Sequence, residues 1–133
     1  MKKIDIACII DDDPIFIFGA KRMMELAEFC NSFMIFNNGE EALNSLKPLM
    51  DSGENIPEVI LLDINMPIMD GWQFLDEFVK IEAHKLITVF IVSSSIDPLD
   101  RKRVEAYKNV SNFIVKPITP DMIKSIKDYL VNN

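Results

Sequence analysis

Basic side chains are in short supply along this chain. Its 133 residues include 14 Lys and Arg against 21 Asp and Glu, so the formal net charge is −7 at pH 7. Proteins that bind nucleic acids need a basic surface to neutralise phosphates. The deficit therefore argues against a nucleic-acid-binding protein and favours cations, or partners with basic surfaces.

Long apolar runs and cysteines are also few. No segment approaches the ~18–20 consecutive apolar residues of a membrane-spanning helix. The apolar run at residues 4–10 ends in three aspartates, whereas a signal peptide ends in small residues at its cleavage site. The two cysteines, Cys8 and Cys30, lack the spacing of metal ligands and are expected to be buried, reduced thiols. We expect a cytoplasmic protein that does not contact membranes.

What the chain does contain is a regular alternation of short apolar runs with stretches of helical periodicity. The runs that predict strands are residues 4–10, 33–36, 59–62, 87–92 and 112–115. Helical patterns occupy residues 15–29, the region around 42–50, and the segments that begin after Asp70-Gly71, near Asp97-Pro98 and at Pro120, with Asp97 and Thr119 as the N-caps of the last two. This alternation predicts an α/β fold with helices flanking a parallel sheet. We expect one domain over residues 1–133, with no output domain.

Except for the second run, which ends in the turn signal Asn37-Asn38-Gly39, each apolar run is followed by polar side chains that can carry chemistry. Ligands of an open parallel sheet bind beyond the carboxyl ends of its strands, so these positions are the candidates for a functional site. They are Asp11, Asp12 and Asp13 after the first run, Asp63, Asn65 and Asp70 after the third, Ser93, Ser94 and Ser95 after the fourth, and Lys116-Pro117 after the fifth.

Carboxylates gathered at one edge of a sheet repel one another unless a cation lies among them. Mg²⁺ is the expected cation, because it prefers hard oxygen ligands and bridges to phosphate. A carboxylate can also attack phosphorus and become an aspartyl phosphate. The ammonium of Lys116 and the hydroxyl of Ser93 are suited to bind two of the transferred oxygens. These residue types favour phosphoryl transfer to a carboxylate.

Taken together, these features resemble the receiver domain of two-component response regulators, and in particular stand-alone receivers such as the chemotaxis response regulator. The resemblance covers essentially the whole chain. It rests on the acidic cluster at residues 11–13, the DxNMPxMDG segment at residues 63–71, the hydroxyl of Ser93 and the pair Lys116-Pro117. It implies the flavodoxin-like, doubly wound (βα)5 fold with strand order 2-1-3-4-5.

The resemblance also implies a role for each matching residue. Asp63 would accept the phosphoryl group. Mg²⁺ would be bound by Asp12, Asp63 and the backbone carbonyl of Asn65, with Asp11 acting through a bound water. Lys116 would pair with the phosphoryl group, and Ser93 would be the switch hydroxyl that moves to bond it.

The same resemblance gives other positions structural or switching roles. Pro117 would follow a cis peptide bond, and Gly71 would belong to the turn before the third helix. Two residues depart from the commonest family pattern: Ser93 stands in place of threonine, and Phe113 stands where many members carry tyrosine. Phe113 would therefore be a switch residue without a hydroxyl.

Several other residues have less specific interpretations. Asp13 is expected to cap the first helix rather than bind metal, and His84 is expected at the surface. Ser94 and Ser95 are expected in a loop or cap, with Ser95 able to influence the access of water to the phosphate. Trp72 is either a packing residue or a partner-facing one. The aromatic and Met residues of the first helix are expected in the core.

The implied function is a phosphorylation-activated signalling switch rather than a classical enzyme. A histidine kinase or histidine phosphotransfer protein would supply the phosphoryl group, and the domain would catalyse both its own phosphorylation and the later hydrolysis. Phosphorylation would change the affinity for an effector protein at the face formed by helix 4, strand 5 and helix 5, and could promote a dimer.

Two alternatives stay open at this point. One is a phosphorelay intermediate that passes the phosphoryl group on to a histidine phosphotransfer protein. The other is a docking module whose partner binding ignores phosphorylation. A small hydrolase of the same fold is disfavoured, because the sequence shows no substrate-pocket signature.

Overall fold

The chain folds around one five-stranded parallel sheet. The computed structural model describes residues 4–94, 97–107 and 110–132. The strands are β1 (Ile4–Ile10), β2 (Cys30–Phe36), β3 (Val59–Leu62), β4 (Thr88–Ser93) and β5 (Val110–Val115). They are ordered β2-β1-β3-β4-β5, and every neighbouring pair is parallel. The predicted flavodoxin-like topology is therefore confirmed.

Helices cover both faces of the sheet. They are α1 (Pro14–Leu26), α2 (Gly39–Ser52), α3 (Gly71–Phe78), α4 (Pro98–Arg103) and α5 (Pro120–Val131), with 3₁₀ turns at Glu82–Leu86 and Val104–Ala106. One core packs α2 and α3 against the sheet, and the other packs α1 and α5. Successive strand residues point to opposite faces, so Cys8 and Ile10 of β1 enter the first core whereas Ala7 and Ile9 enter the second.

Side-chain caps begin the helices, and the sequence predicts those of α1, α4 and α5. The carboxylate of Asp13 accepts a hydrogen bond from the Ile15 amide, which confirms Asp13 as the cap of α1. Asp70, Asp97 and Thr119 cap α3, α4 and α5 in the same way. The caps of α1, α4 and α5 place the start of each of these helices a few residues beyond the carboxyl end of the preceding strand.

Several element boundaries differ from the prediction. Helix α1 ends at Leu26 rather than near residue 29, because Glu28 adopts a positive φ of 51° and the chain then turns Phe29 into the core. Strand β2 begins at Cys30, before the apolar run at 33–36. Asn31 and Ser32 are exposed, yet this edge strand pairs with β1 through its backbone, which side-chain polarity does not reveal.

Helix α2 also extends beyond its predicted end. It continues to Ser52, past the predicted helical region around 42–50, and Gly53 then ends it in the left-handed conformation. Among the described residues, no helix combines the length and the apolarity needed to cross a bilayer.

Candidate functional site

Three carboxylates converge at the carboxyl edge of the sheet. Strands β1 and β3 are neighbours, and Ile10 pairs with Leu62, so Asp11 and Asp63 follow at the same level. Asp11, Asp12 and Asp63 each offer an oxygen within 4.8 Å of the others. Asp11 and Asp63 are buried, whereas Asp12 is exposed. The structure thus brings together the acidic residues that the sequence singled out after two separate strands.

Lys116 reaches this cluster from the end of β5. Its Nζ lies 2.9 Å from Asp11 Oδ2 and 3.9 Å from Asp63 Oδ2. Its backbone amide donates to the Ser93 carbonyl at 2.8 Å, which ties the loop after β5 to the end of β4. The Lys116–Pro117 peptide bond is cis, the geometry that the family resemblance implies. The closer ion pair is with Asp11, a contact that the sequence did not indicate.

The crowded charges shift the proton affinities of the two buried carboxyl groups. Burial raises the pKa of Asp63 to about 6, and the neighbouring Asp11 carboxylate adds to the rise while Lys116 opposes it. Burial also raises the pKa of Asp11, against a hydrogen bond from the Asp13 amide and the attraction of Lys116. One ammonium therefore does not fully compensate the negative charge gathered here.

The donor set fits a hard divalent cation. Asp11 Oδ2 is buried and accepts no well-aligned hydrogen bond from the described residues, although Lys116 lies close to it. A buried carboxylate oxygen in this state has capacity for another positive partner. Three converging carboxylates, one of them open to solvent, suit Mg²⁺, which takes oxygen ligands and keeps several of its waters.

Asn65 and Ser93 lie beside Asp63 and are linked to it by hydrogen bonds. The Asn65 amide donates to Asp63 Oδ1 at 3.2 Å, and its side-chain Nδ2 donates to Ser93 Oγ at 3.4 Å. Ser93 is completely buried, and Ser94 beside it is exposed. Ser95 lies outside the described residues. The hydroxyl predicted to act as the switch thus lies one side chain away from Asp63.

Gly71 allows the loop after β3 to fold back against the backbone of Asp63 and Ile64. Its amide donates to the Ile64 carbonyl at 3.1 Å. A Cβ at this position would lie 2.6 Å from both the Asp63 carbonyl oxygen and Ile64 Cα, closer than backbone atoms tolerate. The glycine is needed for this close approach rather than for a special backbone angle.

Other side chains near the site were assigned only broadly from the sequence. The ring centroid of Phe16 in α1 lies 4.3 Å from Lys116 Nζ, so this aromatic residue borders the site instead of being wholly in the core. In the sequence, the only signal for this position of Phe16 is its place one turn after the acidic loop.

Trp72 is buried and stacks on Tyr107 with ring centroids 5.8 Å apart, so Trp72 is a packing residue. His84 is half-buried rather than exposed, with Nδ1 2.7 Å from the Ile81 carbonyl.

The site lies within a segment that matches a known family. The model of the response regulator receiver domain matches residues 7–127. Among curated relatives, the probable methanogenesis regulatory protein FilR2 of Methanothrix harundinacea (strain 6Ac) is 26% identical over 129 residues, covering 93% of this chain and 82% of the relative.

Two other relatives are much longer than this chain. The sensor histidine kinase CheAY of Helicobacter pylori is 36% identical over 90 residues, which are 67% of this chain but 10% of that protein. The nitrate/nitrite response regulator NarL of Escherichia coli K12 is 29% identical over 120 residues, covering 89% of this chain and 51% of the relative. The chain therefore spans about half of one and a tenth of the other.

Solved structures agree with the sequence relatives. A two-component response regulator from Cytophaga hutchinsonii superposes with a TM-score of 0.90 at 30% identity, covering 99% of this chain and 100% of that one. The receiver domain of the response regulator NarL from Mycobacterium tuberculosis gives a TM-score of 0.80 at 25% identity, with both chains covered completely. From the family match, the shared topology and the acidic cluster at the sheet edge, we conclude that the chain belongs to the receiver-domain family of two-component response regulators.

Proposed function

We propose that this receiver domain is a phosphorylation-driven switch in which Asp63 accepts a phosphoryl group from the phosphohistidine of a histidine kinase or histidine phosphotransfer protein. In the transfer, the phosphorus–nitrogen bond breaks, an Asp63 oxygen bonds to phosphorus, and the imidazole keeps the electron pair. The observation that carries the proposal is the placement of Asp63 beside two further carboxylates and the Lys116 ammonium.

Different residues around Asp63 would bind the metal and the phosphoryl oxygens. Asp12, Asp63 and the Asn65 carbonyl would hold Mg²⁺, with Asp11 contacting it through water; the bound ion would neutralise charge on the transferred oxygens. Lys116 Nζ, 3.9 Å from Asp63 Oδ2, is within reach of a phosphoryl oxygen on that carboxylate. The Ser93 hydroxyl, held by Asn65 in this structure, would donate to another.

The signal would leave the site through Ser93 and Phe113 toward the face formed by α4, β5 and α5. Phe113 is half-buried, and the Arg101 guanidinium of α4 lies 5.6 Å from its ring centroid. A groove of about 570 Å³ opens beside it, lined by both residues and by Met122 and Tyr129 of α5. Phosphorylation would increase the population of one conformation of this face. The affinity for an effector, or the tendency to form a dimer, would change with the population of that conformation.

Intact mass spectrometry after incubation with acetyl phosphate tests the acceptor directly. We expect the mass of the wild type to increase by one phosphoryl group only when Mg²⁺ is present, and that of Asp63→Asn not to change. Asp13→Asn is the matched control, because asparagine caps helices as well as aspartate does and Asp13 caps α1 in the same acidic loop. It should be phosphorylated like the wild type.

A failure of the wild type with acetyl phosphate is followed by the same assay with a panel of phosphorylated histidine kinases. If neither donor modifies Asp63, the proposal of a phosphorylation-driven switch is wrong, and the alternative of a phosphorylation-independent docking module is favoured. If phospho-Asp63 passes its phosphoryl group to a histidine phosphotransfer protein faster than it hydrolyses, the domain is a relay intermediate.

A further inference from the structure

The ammonium of Lys116 lies between two carboxylates and an aromatic ring. Its Nζ is 2.9 Å from Asp11 Oδ2, 3.9 Å from Asp63 Oδ2 and 4.3 Å from the ring centroid of Phe16. A cation within about 6 Å of a ring centroid is attracted by the negative face of the ring. The lysine side chain is only 17% exposed, so this attraction is less screened than it would be in open water.

The ring of Phe16 is held in place by the start of α1. Asp13 caps the helix through the Ile15 amide, and its carbonyl accepts the Ile17 amide on the far side of Phe16. Phe16 is half-buried and packs against the core between α1, α5 and the sheet. The acidic loop that supplies Asp11 and Asp12 therefore also sets the position of the ring.

We infer that Phe16 is a positioning residue for Lys116, an inference that rests on the proposed function. A lysine side chain is flexible and carries a strongly hydrated charge, so directing it toward one oxygen costs conformational freedom. The ring gives the ammonium an attractive surface in addition to its ion pairs and takes the place of water there. Lys116 is thus held within reach of Asp63 before the phosphoryl group arrives, which lowers the reorganisation needed in the transfer.

The test compares substitutions at Phe16 with a control on the same helix. The rate constant for Asp63 phosphorylation by acetyl phosphate is measured at saturating Mg²⁺ in Phe16→Leu, Phe16→Tyr and Phe18→Leu. Phe18 is the control because it is 75% exposed, and the small donor removes any effect of kinase docking. We expect Phe16→Leu to react about three- to tenfold more slowly, in line with the strength of a cation–π contact, and the other two to match the wild type.

To distinguish a packing role of Phe16 from an electrostatic one, Phe16 is replaced with phenylalanines that carry one, two and three ring fluorines. Fluorine weakens the negative face of the ring while changing its shape little, so the rate should fall stepwise along the series. In the unphosphorylated protein, the NMR signals of the Lys116 ε-protons should lie upfield because of the ring current, and should lose that shift in Phe16→Leu.

The outcomes distinguish this inference from the function on which it rests. Equal rates across the fluorinated series, or unshifted Lys116 ε-protons in the wild type, would overturn the positioning role of Phe16. If no donor phosphorylates the wild type, the proposed function fails instead, and the NMR measurement still reports whether the ring faces the ammonium.

Discussion

At the scale of single residues, the site depends on a backbone contact as much as on charged side chains. The loop from Asp63 to Gly71 closes on itself through the hydrogen bond from the Gly71 amide to the Ile64 carbonyl. No side chain fits at Gly71, because a Cβ would meet backbone atoms on the inner side of the loop. The sequence predicted a turn here, but only the folded loop shows which atoms a side chain would meet.

Gly71→Ala should therefore destabilise the protein, whereas Gly19→Ala should not. We expect the first change to lower the free energy of unfolding by about 1–3 kcal/mol, the usual cost of overpacking. Gly19 lies inside α1, and no atom lies within 4 Å of the position that a Cβ would take, so alanine there should raise stability by about 0.5–1 kcal/mol. Urea denaturation of both variants makes the comparison, and equal effects would contradict the steric argument.

At the scale of elements, α5 stabilises the end of α1. Lys127 of α5 donates to the Ala27 carbonyl at 3.2 Å and to the Glu28 carbonyl at 3.1 Å. These carbonyls lie just beyond the last residue of α1, where a helix end leaves acceptors unsatisfied and favours a positive charge. The sequence placed the end of α1 too late, because local periodicity reveals neither the positive φ of Glu28 nor this contact between residues about a hundred positions apart.

Replacing Lys127 with methionine keeps most of the side-chain bulk and removes both hydrogen bonds. We expect the free energy of unfolding to fall by about 1–2 kcal/mol, less than for fully buried charged hydrogen bonds because the site is partly open to solvent. Lys124→Met, on an exposed part of the same helix, should change it by less than about 0.5 kcal/mol. If the two variants unfold at the same urea concentration, Lys127 does not stabilise the end of α1.

At the scale of the whole molecule, the buried carboxylate of Asp63 is expected to reduce the stability of the metal-free protein. The folded-state pKa of Asp63 is about 6, above its ordinary value of 3.8, so the folded protein binds this proton more tightly than the unfolded chain does. The contribution of Asp63 to stability therefore falls as pH rises from about 4 to 6, and the full penalty is present above pH 6. Burial and the negative charges of Asp11 and Asp12 raise the pKa of Asp63, whereas the positive charge of Lys116 lowers it.

Asp63→Asn removes this penalty. Without divalent cations, we expect the variant to exceed the wild type in unfolding free energy by up to about 3 kcal/mol at pH 7, and by close to nothing below pH 4. Added Mg²⁺ should narrow the gap at pH 7, since it stabilises the carboxylate form of the wild type. Thermal or urea unfolding at the two pH values measures the difference in unfolding free energy between the variant and the wild type. A difference that does not change with pH would contradict its electrostatic origin.

The sequence by itself determined the succession of strands and helices along the chain, the caps of α1, α4 and α5, and the family to which the chain belongs. These features are local: apolar periodicity, a capping side chain or a short motif after a strand is readable within a few residues. It also predicted that Asp11, Asp12 and Asp63 would meet, because the carboxyl ends of parallel strands share one edge.

Only the tertiary structure decided which partner each of these groups contacts. Several contacts join distant segments of the chain. They are the ion pair of Lys116 with Asp11, the contact of the Phe16 ring with the same ammonium, the stacking of Trp72 on Tyr107 and the hydrogen bond from Lys127 to the end of α1. The early start of β2 likewise depends on backbone hydrogen bonds to β1. Such contacts depend on distances of a few ångströms between packed elements, and the pattern of residue types along the chain carries no information at that precision.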